Sequence, residues 1–406
     1  MKNADKSSFD FPMATDPYND LTLRTIAKEA VGFLFKYVGS KKIIRIILTG
    51  SVANGEGTVI RHGSQLIVSD FDFVIWLSFP NFVRSKAYLP GLALLISKKL
   101  EERGINTHVT FTPVTYIFGT SFCNAWPRIY EYEFTLASKC ITGKTPSFDK
   151  KARPSEKDAL ELVFSVIGDL MFLKLRKVSK VEESYIYGKR ALTLLNSMLI
   201  IHGFFGETYQ KRLEVAKKYA NRRFFPITRD EIRILEIFTQ YKLNGSNGYL
   251  MGSLGFKKID ALIMFQREFL KKVTIKTLYY GLFKILNKSI ETNLAYDDLA
   301  LSKLNEISLL LEEYLRRSEA PLLVRVTKVA LTLIGLSGRR NEEKKLVCIY
   351  MHNKKPLKTI LNVVIALLFV DNYSLSTKIM RKTLPCIFPY GNAVNIKKIY
   401  SLWQIA

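Results

Sequence analysis

The chain has 406 residues, 48% of them hydrophobic and 24% charged, enough apolar material for two or three packed domains and too much for a disordered protein. Its 61 Lys and Arg against 36 Asp and Glu leave a net charge of +25. Such an excess points to a polyanionic partner (RNA, DNA, a nucleotide-bearing substrate or an acidic membrane surface), although a Lys- and Ile-rich composition also produces it without one.

Residues 1–20 are polar, carry Pro12 and Pro17, and read as a flexible leader without the apolar core of a signal peptide. Asp20 is a candidate cap for a helix over 21–37, where Leu23, Ile26, Ala27, Ala30, Phe33 and Leu34 follow helical spacing and Gly39 is the stop. Residues 42–49 form a first strand that ends at Gly50-Ser51. Residues 69–77 form a second, whose apolar stretch from Val74 to Leu77 implies burial on both faces. A helix over 91–103 stops at Gly104, a third strand runs over 106–116, and a helix over 128–140 precedes an exit at 141–146. This is a mixed α/β unit, taken as residues 21–150.

From residue 151 the pattern becomes helical. Ser155 with Asp158 and Thr228 with Glu231 are capping boxes, the first opening a helix over 159–175 that is apolar almost all round and so belongs inside a bundle. Further helices are expected at 184–202, 208–221, 229–243 (stopped by Gly245), 257–288, 296–317, 321–335 and 355–370. The apolar run 359–370 is too short for a membrane span of about 20 residues. Breaks at 146–154 and 336–343 divide a bundle at 151–335 from a C-terminal helical extension at 336–406. The fold class expected is α+β: a small mixed sheet with flanking helices, then an all-α bundle.

The chemistry concentrates in residues 47–78, ILTGSVANGEGTVIRHGSQLIVSDFDFVIWLS. In a strand, residues two apart share a face, so Asp70 and Asp72 present two carboxylates to one side. Such a pair repels unless a cation lies between, and Mg²⁺ takes this oxygen-only arrangement together with substrate phosphates. Gly50-Ser51 suits close approach of backbone N–H groups to a phosphate.

Thr49-Gly50-Ser51 followed by Asp70-Phe71-Asp72-Phe73 resembles the nucleotidyltransferase superfamily of the DNA polymerase β type, with its minimal, kanamycin-type and archaeal CCA-adding members. The resemblance covers about residues 20–146. It implies a nucleotidyltransferase domain in which Asp70 and Asp72 are catalytic and hold two Mg²⁺ ions with a bound NTP, ATP foremost. Gly50 and Ser51 bind its phosphates. Lys189 and Arg190, in the helix SYIYGKRALTLLNSMLIIHG, resemble the basic residues that relatives aim at the triphosphate, Lys189 being the one taken as nucleotide-binding. The spacer between Ser51 and Asp70 is longer than in the family, so TVIRHGSQLIV is expected to be an inserted hairpin. Asn54 stands where many relatives have Arg. The third carboxylate of the family belongs on a later strand, here residues 107–112, which contain neither Asp nor Glu.

Other candidates carry plainer readings. Glu56, near the phosphate turn, is a candidate supporting ligand but reads first as a solvated loop carboxylate, and Lys189 equally as a solvated helix charge. His62, His108, His202 and His352 share no metal-site spacing; His202, beside Gly203, suits a helix cap. Arg and Phe interleave in KKYANRRFFPITRDEIR at 217–233, a pattern that stacks on unpaired bases, yet Phe224 and Phe225 fit a core equally. Cys123, Cys140, Cys348 and Cys386 lack C-x-x-C spacing, which fits a reducing compartment, and a cytoplasmic location is expected. The function expected is transfer of an NMP group from an NTP to a hydroxyl of a small molecule or protein. An RNA-end transferase and an inactive nucleotide- or RNA-binding module of the same fold are the alternatives.

Overall fold

The structure, a computed structural model, describes residues 9–86, 88–117, 120–122, 138–143, 153–175, 178–220, 225–287, 304–318 and 357–370, with 132, 376, 379 and 399 singly. It is α+β, with strands confined to the first part of the described chain and helices making up the rest. Among the described residues no helix is long and apolar enough to cross a membrane.

The first helix, α1, is Pro17–Val38. Its cap is Asp16, which accepts from Asn19 N at 2.8 Å, with Pro17 suited to the opening turn, so the cap expected at Asp20 lies four residues too late. Asp20 instead accepts from Met13 N and from Arg24 Nε, both at 2.5 Å, while Arg24 also donates to Phe11 O at 2.8 Å. One turn of helix thereby grips the preceding chain. Phe9, Met13 and Ala14 are buried beside α1, so this segment is anchored to the core through those three side chains and is not a loose leader; residues 1–8 lie outside the described residues.

Strand β1 (Ile43–Thr49) leads into a single helical turn, α2 (Gly50–Ala53). The inserted hairpin follows as β2 (Val59–His62) and β3 (Gln65–Val68), its turn made by Gly63 in the left-handed region at φ +58°. Strand β4 is Phe71–Leu77, followed by helices α3 (Phe79–Lys86) and α4 (Leu89–Glu101). The single strand expected over 106–116 divides into β5 (Ile105–Asn106) and β6 (Val109–Ile117), which join different sheets. The break has a cause: Thr107 Oγ1 donates to Ser69 O at 2.9 Å and His108 O accepts from Phe71 N at 2.8 Å, so this chain turns to enter beside β4. Strand β7 (Thr120–Phe122) pairs with β6, and β8 (Lys139–Thr142) pairs with β1 where the end of a helix was expected; most of that expected helix lies outside the described residues.

The larger sheet has the order β7-β6-β4-β1-β8, with β4 parallel to β6 and antiparallel to β1. Phe71, Phe73, Ile75 and Leu77 of β4 pack on α1 and α4, while Val74 and Trp76 lie with Ile47 and Val114 in a separate cluster. Both faces of β4 are covered, as its apolar run implies.

The helical half comprises α5 (Glu156–Phe172), α6 (Lys180–Ile201), α7 (Tyr209–Tyr219), α8 (Arg229–Asn244), α9 (Asn247–Ser253), α10 (Ile259–Ile285), α11 (Leu304–Arg317) and α12 (Leu357–Phe369). Both capping boxes form, and Gly245 ends α8 in the left-handed region at φ +68°. Helix α9 carries too little apolar periodicity to be read from sequence; the helix expected at 321–335 lies outside the described residues. Helix α10 is buried around most of its circumference and packs on α5 and α6. Helix α12 shares this core, so the described part of the expected C-terminal extension is continuous with the bundle. Ile60 and Ile67 of the hairpin also enter it, whereas Val59 and Val68 pack with the sheet, so the insertion ties the two halves together.

Ser155 Oγ accepts from Asp158 N, and Asp158 Oδ2 accepts from Ser155 N at 2.7 Å. Ser155→Ala is expected to cost about 1 kcal/mol, read from urea unfolding, because one amide at the start of α5 loses its acceptor.

Candidate functional site

Asp72 lies within β4, in register with Thr49 of β1 and Thr110 of β6. Thr110 Oγ1 donates to Asp72 Oδ1 at 2.9 Å, which fixes the carboxylate plane. Asp70 precedes the strand, which begins at Phe71, so it reaches the site from the turn and not through strand alternation as expected. That turn is held on both sides: Ser69 N donates to Thr58 O at 3.0 Å and Phe71 N to His108 O at 2.8 Å. Both carboxylates line one cavity of about 430 Å³ between the sheet and the helical bundle.

Gly50 and Ser51 line the same cavity. Gly50 has φ +75°, and a Cβ there would stand 3.2 Å from Asp72 Oδ2, so glycine serves both the backbone conformation and the close approach. From α6, Lys189 enters the cavity and its ammonium pairs with Asp70 Oδ2. The side chains are 23% and 39% exposed, partly sheltered but open to a ligand. All five residues singled out in the sequence, Gly50, Ser51, Asp70, Asp72 and Lys189, therefore meet around one space.

The two carboxyls are electrostatically unlike. Burial raises the affinity of Asp70 for a proton, but the Lys189 charge and hydrogen bond outweigh it and hold its pKa below the ordinary value. Burial, and then the Asp70 charge, push Asp72 above that value, only partly offset by Lys189 and Thr110. Lys189 is desolvated yet raised by Asp70, and stays a cation. In the metal-free protein, carboxyl-carbon NMR titration should place the Asp72 midpoint above, and the Asp70 midpoint below, the free Asp value of about 3.9. Asp70→Asn should move the Asp72 midpoint down, since it removes a repelling charge and frees Lys189.

The remaining wall comes from Arg190 and Glu56, both further candidates in the sequence, and from residues with little sequence signal. Arg190 lines the cavity and pairs with the buried Asp169. Tyr209 and Arg212 reach it from α7, where a basic helix face gives no hint of inward placement. Glu56 is not the solvated loop carboxylate first expected. It is buried, and its two oxygens accept from Tyr209 N at 2.8 and 3.1 Å, capping α7. Burial raises its pKa despite that N–H group and Arg212. Asn54 Nδ2 reaches Glu207 O at 3.3 Å, so the loop after α2 clasps the helical half.

His202 caps α6 as expected, with Nδ1 2.9 Å from Met198 O and its ring edge-on to Phe225. Phe225 is buried in the bundle core; Phe224 lies outside the described residues. On the strand where the family resemblance would put a third carboxylate, the residue opposite Asp72 is Thr110. Among the described residues no cluster of three or more His, Cys, Asp and Glu is placed to hold a metal ion. Comparison with protein-family models, curated proteins and solved structures finds no match to this chain.

Proposed function

We propose that the protein is a nucleotidyltransferase that moves an NMP group from an NTP, ATP foremost, to an acceptor hydroxyl of a small molecule or protein and releases pyrophosphate. The observation that carries this is the convergence of Asp70, Asp72, Lys189 and the Gly50-Ser51 turn on one cavity between a sheet and a helical bundle. The donor set suits Mg²⁺: two oxygen-only carboxylates, one of them raised by the other's charge, which a hard cation relieves. Two Mg²⁺ ions shared by Asp70, Asp72 and the triphosphate would lower the pKa of the acceptor hydroxyl and offset charge on the departing pyrophosphate.

The protein groups supply positioning and fixed charge, which dominate phosphoryl chemistry. Thr110 orients Asp72. Lys189, paired with Asp70, brings a cation that a phosphate can share. Gly50 keeps the approach to Asp72 Oδ2 clear, and the Ser51 hydroxyl is available to donate to a phosphate oxygen.

Thr110 opposite Asp72 favours a second reading, an inactive nucleotide-binding module, because a threonine and not a third acid occupies that register position. The net charge of +25 favours an RNA end as acceptor. Incubation with each α-labelled NTP, Mg²⁺ and a cell extract separates these. Label on a metabolite or protein supports the first reading and label on RNA the RNA-end one; nucleotide binding without any transfer leaves the module.

A further inference from the structure

Lys242, in the last turn of α8, is 1% exposed and pairs with no carboxylate among the described residues. Its three N–H protons meet three hydroxyl oxygens: Thr58 Oγ1 at 2.8 Å, Ser69 Oγ at 2.7 Å and Tyr185 OH at 2.9 Å. Thr58 returns its own proton to the Lys242 carbonyl. A buried ammonium with neutral partners is costly, and here full hydrogen bonding limits the cost.

The location of those hydroxyls matters more than their number. Ser69 immediately precedes Asp70, and its other polar atoms are also held, N by Thr58 O and O by Thr107 Oγ1. Tyr185 lies one turn before Lys189 on the same helix. One ammonium therefore ties the chain that presents Asp70 to the helix that presents Lys189.

We propose that Lys242 is a positioning residue that sets Asp70 against Lys189, and through them the geometry in which a metal–nucleotide is received. This rests on the nucleotide-binding reading of the cavity. A residue serving only to join the halves would alter stability and leave ligand affinity unchanged.

The test uses full-length wild type, Lys242→Met, Tyr185→Phe and Ser155→Ala. Mn²⁺ binding in the presence of a non-hydrolysable ATP analogue is followed by electron paramagnetic resonance, and unfolding by urea. Lys242→Met should weaken Mn²⁺–nucleotide binding by about 10–100-fold, as loss of groups that orient metal ligands commonly does. Tyr185→Phe keeps the Lys242 charge, removes one of its acceptors, and should weaken binding in the same direction. Ser155→Ala, destabilised elsewhere, should bind as wild type. Wild-type affinity in a folded Lys242→Met or in Tyr185→Phe overturns the proposal, and if Lys242→Met does not fold, Tyr185→Phe decides alone. Absence of Mn²⁺–nucleotide binding by the wild type instead removes the site reading on which the proposal rests.

Discussion

Asp70→Asn and Asp72→Asn are each expected to lower nucleotidyl transfer by at least about 10²–10³-fold while leaving the fold intact. Each removes one of the two neighbouring aspartates that share the cavity with the Gly50-Ser51 turn, and Thr110 stands across from Asp72 in place of an acid. The variants should differ in stability, and the signs follow from the two carboxyls. Asp72 is raised on folding, so at neutral pH its ionised form opposes the native state; Asn at this position should keep or raise the melting temperature. Asp70 is lowered, so its contribution is present above the unfolded-state value and disappears as pH falls through the folded one. Asp70→Asn forfeits that contribution and leaves Lys189 without its carboxylate. Thermal unfolding beside the label-transfer assay checks both statements, and undiminished transfer by both variants would remove the enzymatic assignment.

Lys276→Met is expected to destabilise the helical half by about 3–5 kcal/mol in urea unfolding. Lys276, on α10, is 2% exposed and donates to Glu231 Oε1 at 2.8 Å. Glu231 is itself buried, and its other oxygen accepts from Thr228 N at 3.0 Å in the capping box of α8. With Lys276 gone, Lys272 remains at 3.8 Å, on a half-exposed side chain. The cost is that of a buried carboxylate left nearly alone. A Glu231→Gln, Lys276→Met double variant should therefore recover much of the loss, since it removes the charge as well as its partner. Equal destabilisation by the single and double variants would show that packing and not charge sets the cost.

The contrast between Lys276 and Lys242 separates two uses of a buried cation. Lys276 faces a carboxylate and secures two helices. Lys242 faces hydroxyls that belong to the segments carrying Asp70 and Lys189. The Glu56 carboxylate on the Tyr209 amide completes a reciprocal clasp, in which each half inserts one buried charge into the other. Glu56 and Tyr209 of this clasp also line the cavity.

Local signals were legible where they depend on near neighbours. The capping boxes at Ser155 and Thr228, the stops at Gly39 and Gly245, and the hairpin turning at Gly63 all formed, because each is settled by bonds within a few residues. Errors arose where a distant partner decided the outcome. Asp20 looks like a cap but is drawn to the backbone of Met13, leaving Asp16 to cap α1. Residues 106–116 look like one strand but are shared between two sheets.

The sequence by itself determined that two carboxylates lie two residues apart after a Gly-Ser turn, and that a sheet-bearing part precedes a helical one. Spacing and periodicity are properties of the chain alone. Only the tertiary structure decided that Lys189, 119 residues from Asp70, becomes its counterion, that Thr110 stands beside Asp72, and that Glu56 and Lys242 are buried. Those outcomes depend on which surfaces exclude water together, and the energy of a charge is set by everything that surrounds it in space, most of which the chain order does not reveal.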